Sequence, residues 1–223
     1  MLHVVATPIG NMEDITHRAV RTLAEADLVA CEDTRVTGAL LKRNEISTPT
    51  ISLNAANEER RIPELLKRLA AGETIALTSD AGTPTISDPG ARLVNAALEA
   101  GVTVSPVPGA SAFAAAVSVF GLPSDSIVFE GFLPQKKGRQ KKLRALLEED
   151  RTVVLYESPY RMRKLLDELE EYAPERFIAV GRELTKKFEE ILRGSPAEIK
   201  ARFADREPKG EFVVGVAPAK WRR

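Results

Sequence analysis

The chain has 223 residues, 43% hydrophobic and 29% charged, with Lys+Arg and Asp+Glu each numbering 32. This suits a globular protein of one or two domains, and no apolar run approaches the ~20 residues a membrane helix needs. A single cysteine, Cys31, excludes an internal disulfide, and with only His3 and His17 beside it a dedicated zinc site is not expected. Strand-like sequence begins at Leu2 without the basic region and cleavage site of a signal peptide, so a cytoplasmic setting is expected. Charge is uneven: residues 1–112 hold 10 Lys/Arg against 14 Asp/Glu, and the remainder hold 22 against 18. A basic second half permits a polyanionic partner.

Taken in order, residues 2–6 read as a strand, Thr7-Pro8-Ile9-Gly10-Asn11 as a turn, and 13–26 as a helix with Ile15, Ala19, Val20, Leu23 and Ala24 on one face. Strands are expected at 28–31, 49–53, 74–78 and 102–107. Helices are expected at 36–43, at 62–70 with Pro63 near the start, and at 91–100. Strands alternating with helices argue a mostly parallel sheet covered on both faces. A helix at 112–120 closes at Gly121. A second α/β pattern follows, with strands at 126–130, 152–156, 177–181, 190–193 and 211–217. Its helices are a very basic one at 138–149, one at 162–172 with an apolar stripe, and one at 196–203 capped by Ser195. The expected fold class is α/β, with two α/β domains at 1–114 and 115–223.

The most informative stretch is TSDAGTPTISDPG at 78–90, between a buried strand and a helix. It has two acids, two glycines, two prolines and one bulky side chain, Ile86. Small residues let backbone approach a ligand, and such ligands sit beyond the carboxyl ends of parallel strands. The connection is also longer than the usual ~2–6 residues. Two similar loops, 7–11 and 108–112, end other strands, and Glu157-Ser158-Pro159-Tyr160-Arg161 ends one in the second half. Together they are expected to line a cleft between the domains. Neither GxxxxGK[ST] nor GxGxxG occurs, so nucleotide hydrolysis and dinucleotide binding of those types are not written here.

The motifs TPIGNMEDIT (7–16), CEDTR (31–35), SDAGTPTISDPG (79–90), VPGASA (107–112), FEGFLP (129–134) and YESPYR (156–161) resemble the tetrapyrrole methylase superfamily, and within it the ribosomal RNA small subunit methyltransferase I branch. The resemblance implies two α/β domains with S-adenosylmethionine in the cleft between them, a homodimer, and 2′-O-methylation of a cytidine ribose in the decoding region of 16S rRNA. Longer members carry an extra C-terminal segment; this sequence ends at Trp221-Arg222-Arg223, so contacts made by that segment are expected to be absent. By the same resemblance Pro8, Ile9, Asp80, Ala81, Gly82, Thr83, Ser111, Ala112, Tyr156 and Glu157 are expected to bind the cofactor, with residues 210–212 completing the adenine pocket.

Each assignment has a plainer alternative. Asp80 can cap its turn, Ser111 can cap the helix at Ala112, and Tyr156 can be ordinary packing. Cys31, His3 and His17 read as structural. A base would help a ribose hydroxyl attack, and Asp33, Asp80 and Glu157 are the candidates. Arg35 and Arg161 are placed to hold phosphates. Lys136, Lys137, Arg139, Lys141, Lys142 and Arg144 form a run of six basic residues without an acid, read as an RNA-facing mobile flap or else a solvated helix face. Competing functions are methylation of a tetrapyrrole and a non-catalytic ribosome-assembly factor.

Overall fold

The computed structural model describes residues 1–205 and 207–221; Arg206 and the terminal Arg222 and Arg223 lie outside the described residues. The chain forms two compact units, Met1–Ser111 and Ala112–Arg223. The division falls just ahead of a helix, against the 114/115 boundary expected from sequence.

The first unit runs β1 (Leu2–Val5), α1 (His17–Glu25), β2 (Leu28–Cys31), α2 (Thr34–Arg43), β3 (Thr50–Ser52), α3 (Glu58–Ala70), β4 (Ile75–Leu77), α4 (Ala91–Glu99), β5 (Val104–Val107). Its sheet has the order β3-β2-β4-β1-β5, and every pair is parallel. Side chains alternate across a strand. Leu28 and Ala30 therefore pack with Leu65 and Leu69 of α3 and Leu93 and Ala97 of α4. Val29 and Cys31 pack on the other side with Ala19 and Leu23 of α1 and Leu41 of α2. With helices on both faces the strands are apolar throughout. The neighbours β1 and β4 send their chains to opposite faces, α1 to one and α4 to the other. Where such connections part, an open sheet leaves a crevice above its carboxyl edge.

Two helix starts differ from expectation by four residues. The stretch 13–26 is a short 3-10 turn at Met12–Asp14 followed by α1, because Thr16 sits in extended conformation and its side chain accepts the Ala19 N–H at 3.0 Å. The helix expected at 62–70 begins at Glu58, which puts Pro63 inside α3. The reason is tertiary. Glu58 is buried, and its carboxylate accepts the Gly90 N–H at the start of α4 at 3.0 Å.

The second unit runs α5 (Ala112–Phe120), β6 (Ile127–Phe132), α6 (Arg139–Leu147), β7 (Thr152–Glu157), α7 (Pro159–Tyr172), β8 (Ile178–Arg182), β9 (Glu190–Gly194), α8 (Pro196–Ala201), β10 (Phe212–Val216). Its sheet, β6-β7-β10-β8-β9, is mixed: β6 and β7 are parallel and the other pairs antiparallel. Leu143, Leu146 and Leu147 of α6 join Met162, Leu165, Leu166 and Leu169 of α7 in one core over Val153, Leu155, Val180 and Val214. So α6 is a packed wall and not the mobile flap expected from its glycine and charge. α5 covers the opposite face, where a side chain at Gly215 would bring its Cβ within 2.6 Å of the Phe120 ring. No helix among the described residues is long and apolar enough to cross a membrane.

Candidate functional site

The loops after β1, β4 and β5 converge in the first unit. Thr7 and Gly82 form an isolated antiparallel bridge, the Thr7 N–H donating to the Gly82 carbonyl at 2.9 Å and the Gly82 N–H to the Thr7 carbonyl at 3.0 Å. The bridge ties β1's loop to β4's across the point where their connections part. The Thr83 hydroxyl donates to the Ala110 carbonyl at 3.1 Å and draws in the third loop. Gly82 has φ +80°, and a Cβ there would stand 3.3 Å from Ile9 Cγ2, so the bridge needs glycine both for its backbone and for its closeness. Pro8 and Ile9 are buried beneath, whereas Asp80 and Ala81 are exposed. Downstream, Thr85 (φ 74°) and Ser87 (φ 64°) sit in the left-handed region, uncommon for any residue but glycine and rarer still for the β-branched Thr85. Strain of this kind persists where surrounding structure over-determines a loop, commonly at ligand sites.

Beside this loop an open depression of about 410 Å³ is lined by Glu32, Asp33, Thr34, Ser52, Asn54 and Asp80. Its acids differ in state. Asp33 caps α2, accepting the Arg35 N–H at 2.8 Å, and pairs with the Arg35 guanidinium at 2.6 Å. Those bonds from Arg35 hold its carboxyl down at about 2. A carboxylate so stabilised is a poor base, and Asp33 is set aside as a proton acceptor; Arg35 in turn is engaged by it. Asp80 accepts the Asp33 N–H at 3.0 Å, which fixes the β4 loop to the β2 loop. Burial pushes the Glu32 carboxyl up, and the charges of Asp80, Asp88 and Asp33 push it further. Burial likewise raises Asp88, with Asp80 adding to it and a hydrogen bond from Ser79 opposing. Glu32 and Asp88 are thus part of the site, though neither is singled out by the sequence alone. Both lie inside the quoted motifs, but only the fold brings them to Asp80.

In the second unit Tyr156 is pinned. Its ring meets those of Phe129 and Phe132 edge-on at 5.0 and 5.7 Å, and its hydroxyl accepts the Phe113 N–H at 3.0 Å. That N–H lies in the first turn of α5, the helix for which Ser111 was a candidate cap. Glu157 is buried, pairs with Arg161 at 2.8 Å and Arg139 at 3.1 Å, and accepts the Ser158 N–H at 2.9 Å. Buried and paired with two arginines, it is closed off from a substrate, so the expectation of a base at Glu157 is corrected. Arg139 is also corrected: at 2% exposure it lies under the surface, joined to Glu157 and, at 2.9 Å, to Glu168. Arg161 is half-buried, holding Glu157 and the Leu133 carbonyl, and serves structure instead of a phosphate. Lys136, Lys137, Lys141, Lys142 and Arg144 are exposed. Lys142 pairs with Glu130 at 2.8 Å, and Arg144 stacks on Tyr172. At 210–212, the Glu211 N–H donates to Glu183 at 2.9 Å. Ser111 and Ala112, half-buried, fall at the junction of the units.

The profile of the Tetrapyrrole (Corrin/Porphyrin) Methylases matches residues 1–200. The chain is 50% identical over 221 residues to ribosomal RNA small subunit methyltransferase I of Synechocystis, covering 98% of this chain and 79% of that one. It is 44% identical to the protein of the same name from Thermotoga maritima, covering 96% of each. Among solved structures, the methyltransferase CobJ matches with a TM-score of 0.70 at 22% identity over 100% of this chain and 95% of that one. Uroporphyrin-III C-methyltransferase from Thermus thermophilus, complexed with S-adenosyl homocysteine, matches with a TM-score of 0.66 at 21% identity over 96% and 95%. The motifs, the two-sheet fold and these likenesses agree: the chain belongs to the tetrapyrrole methylase family, alongside the ribosomal RNA small subunit methyltransferases I.

Proposed function

We propose that this protein transfers a methyl group from S-adenosylmethionine to small-subunit ribosomal RNA, at the 2′-hydroxyl of a cytidine in the decoding region of 16S rRNA, working as a cytoplasmic homodimer. The observation that carries the reading is the Thr7–Gly82 bridge, which holds backbone, glycine and Asp80 at the crevice of a parallel sheet. The residues fit the cofactor. Asp80 and Ala81 are open while Pro8, Ile9 and Gly82 make a close-packed floor. Glu32 and Asp88, raised by burial and by Asp80, mark surplus negative charge that a cationic ligand relieves. The names of the relatives at 44–50% identity and the S-adenosyl homocysteine in the uroporphyrin enzyme support the same assignment.

S-adenosylmethionine supplies a methyl group on a sulfonium. The chain's own task is to bind that cation, exclude water and keep the acceptor oxygen in line with the methyl. The β4 loop residues Asp80 to Thr83 bind and orient. With Asp33 and Glu157 committed to arginines, Asp80 is the carboxylate left to take the ribose proton. The test is transfer of labelled methyl to small ribosomal subunits lacking the modification, with nucleotide mapping. One methylated cytidine ribose is expected, and Asp80→Asn should slow turnover by about 10²-fold or more. If label moves to a porphyrinoid and to no ribosomal particle, the rRNA assignment is wrong.

A further inference from the structure

The basic run at 136–144 divides once the partners of each residue are considered. Lys142 is neutralised by Glu130 and Arg144 lies on Tyr172. Lys136 and Lys141 make no ion pair among the described residues, and neither does Lys164 of α7. These three line one depression of about 340 Å³, with Gly138, Arg139, Gln140 and Glu168 completing the wall. The depression lies at the N-terminus of α6, whose cap is Gly138 (φ +87°) with no side-chain hydrogen bond to the first turn. The Arg139 N–H donates to the Lys136 carbonyl at 3.4 Å, and the next two N–H groups, of Gln140 and Lys141, make no backbone hydrogen bond and carry partial positive charge. The one acid in the wall, Glu168, is already paired with Arg139 Nε at 2.9 Å. Arg139 adds the decisive feature. It is 98% buried; Nε goes to Glu168 and Nη2 to Glu157, while Nη1 is a buried donor without a partner.

We infer that this depression is a seat for one phosphate group, held by the α6 N-terminus, Lys136, Lys141 and Lys164, with the spare Arg139 donor behind it. Helix N-termini bind phosphate through oriented N–H groups and dipole together. The lysines supply formal charge, and the neutral Arg139–Glu168 pair adds no repulsion. The phosphate is taken to be a backbone phosphodiester of the RNA, a step that rests on the rRNA reading above. The seat makes α6 an element that fixes the position of an RNA strand, where a solvated basic face would attract RNA without placing it.

The experiment measures binding of a small-subunit rRNA fragment to the full chain across a salt series, for the wild type, Lys141→Gln/Lys164→Gln and Lys200→Gln. Lys200 is an equal charge already tied to Asp167 and Glu170. The double variant should bind about tenfold more weakly, with the slope of log affinity on log salt reduced by about 0.7, and Lys200→Gln should change neither. S-adenosylmethionine binding, retained in all three, reports folding. If the double variant keeps both affinity and slope, the seat is refuted. If the wild type binds no rRNA, the rRNA reading fails, and the seat is judged separately by titrating inorganic phosphate against the amide resonances of Gln140 and Lys141. Saturable shifts lost in the double variant uphold a phosphate seat; their absence refutes it.

Discussion

The carboxyl end of β4 and the carboxyl end of β7 each carry an acid that sequence marks as a candidate, and they treat it in opposite ways. At β4 the chain is held by hydrogen bonds: the Thr7–Gly82 bridge and the Asp33 N–H to Asp80 fix the loop, and Asp80 makes no ion pair among the described residues, its charge reaching Arg35 only at longer range. At β7 the chain is held by charge: Glu157 is buried against Arg139, Arg161 and its neighbour's N–H. The first arrangement leaves a carboxylate available to a ligand and raises the protonation of those around it. The second consumes its carboxylate to lock α6, β7 and α7 together. An acid at a strand end is therefore a site residue only when other contacts hold the loop.

The largest effect expected from breaking this contrast is at Arg139. Replacing it by methionine removes the cation shared by Glu157 and Glu168, both buried. Breaking a buried pair on one side costs about 3–5 kcal/mol, more than an exposed pair contributes. Arg139→Met should move the urea midpoint accordingly, and a second change, Glu168→Leu, should recover part of the loss by removing the stranded charge. A loss under about 1 kcal/mol would place Arg139 among ordinary surface residues after all.

A middle-sized effect is expected at Gly82. Alanine there faces a backbone cost of about 1–2 kcal/mol for the left-handed conformation, together with the Ile9 contact. Gly72 is the control, with φ +94° and nothing within 4 Å of its would-be Cβ. Both alanine variants should lose stability in thermal unfolding, Gly82→Ala the more because of the Ile9 contact. Only Gly82→Ala should weaken S-adenosylmethionine binding, because only it widens the bridge between the β1 and β4 loops. Equal affinity in the two variants would detach the bridge from the cofactor.

Arg139 also shows what the sequence made legible. Six basic residues in nine read as surface because charge density was weighed ahead of period. In α6 the positions 139, 143, 146 and 147 share one face, and the last three are leucines. Read that way, Arg139 belongs to the core stripe. Glu168, between Leu165 and Leu169 in the buried face of α7, is its evident partner. Alternation and stripes likewise placed the strands and the end of α7, though α7 starts at Pro159 and not at 162, because burial on a periodic element is a local property. The start of α3 was not legible, since what fixes it is Glu58 reaching Gly90 from 32 residues away. Glu32 and Asp88 were missed for the same reason: their state depends on Asp80, a neighbour only in the folded sheet.

The smallest effect tests the acidic end through pH. Asp33 and the pair Glu32 and Asp88 have opposite signs. Asp33, held at about 2 against an ordinary 3.8, binds its proton less tightly in the fold than unfolded. It contributes stability above pH 3.8 that is lost as pH falls toward 2. Glu32 and Asp88, raised above 4.5 and 3.8, bind theirs more tightly in the fold. The stability they contribute is full below those ordinary values and disappears as pH rises through the raised ones. Once ionised, both repel Asp80. Asp88→Asn should therefore raise the thermal midpoint at pH 7 and flatten its decline between pH 4 and 7, with no gain at pH 4. A cationic ligand relieves the same repulsion, so S-adenosylmethionine should stabilise the wild type more than Asp88→Asn. Equal stabilisation of the two would mean that the cation does not sit among these carboxylates, and the acidic loop would then be strained for some purpose other than holding it.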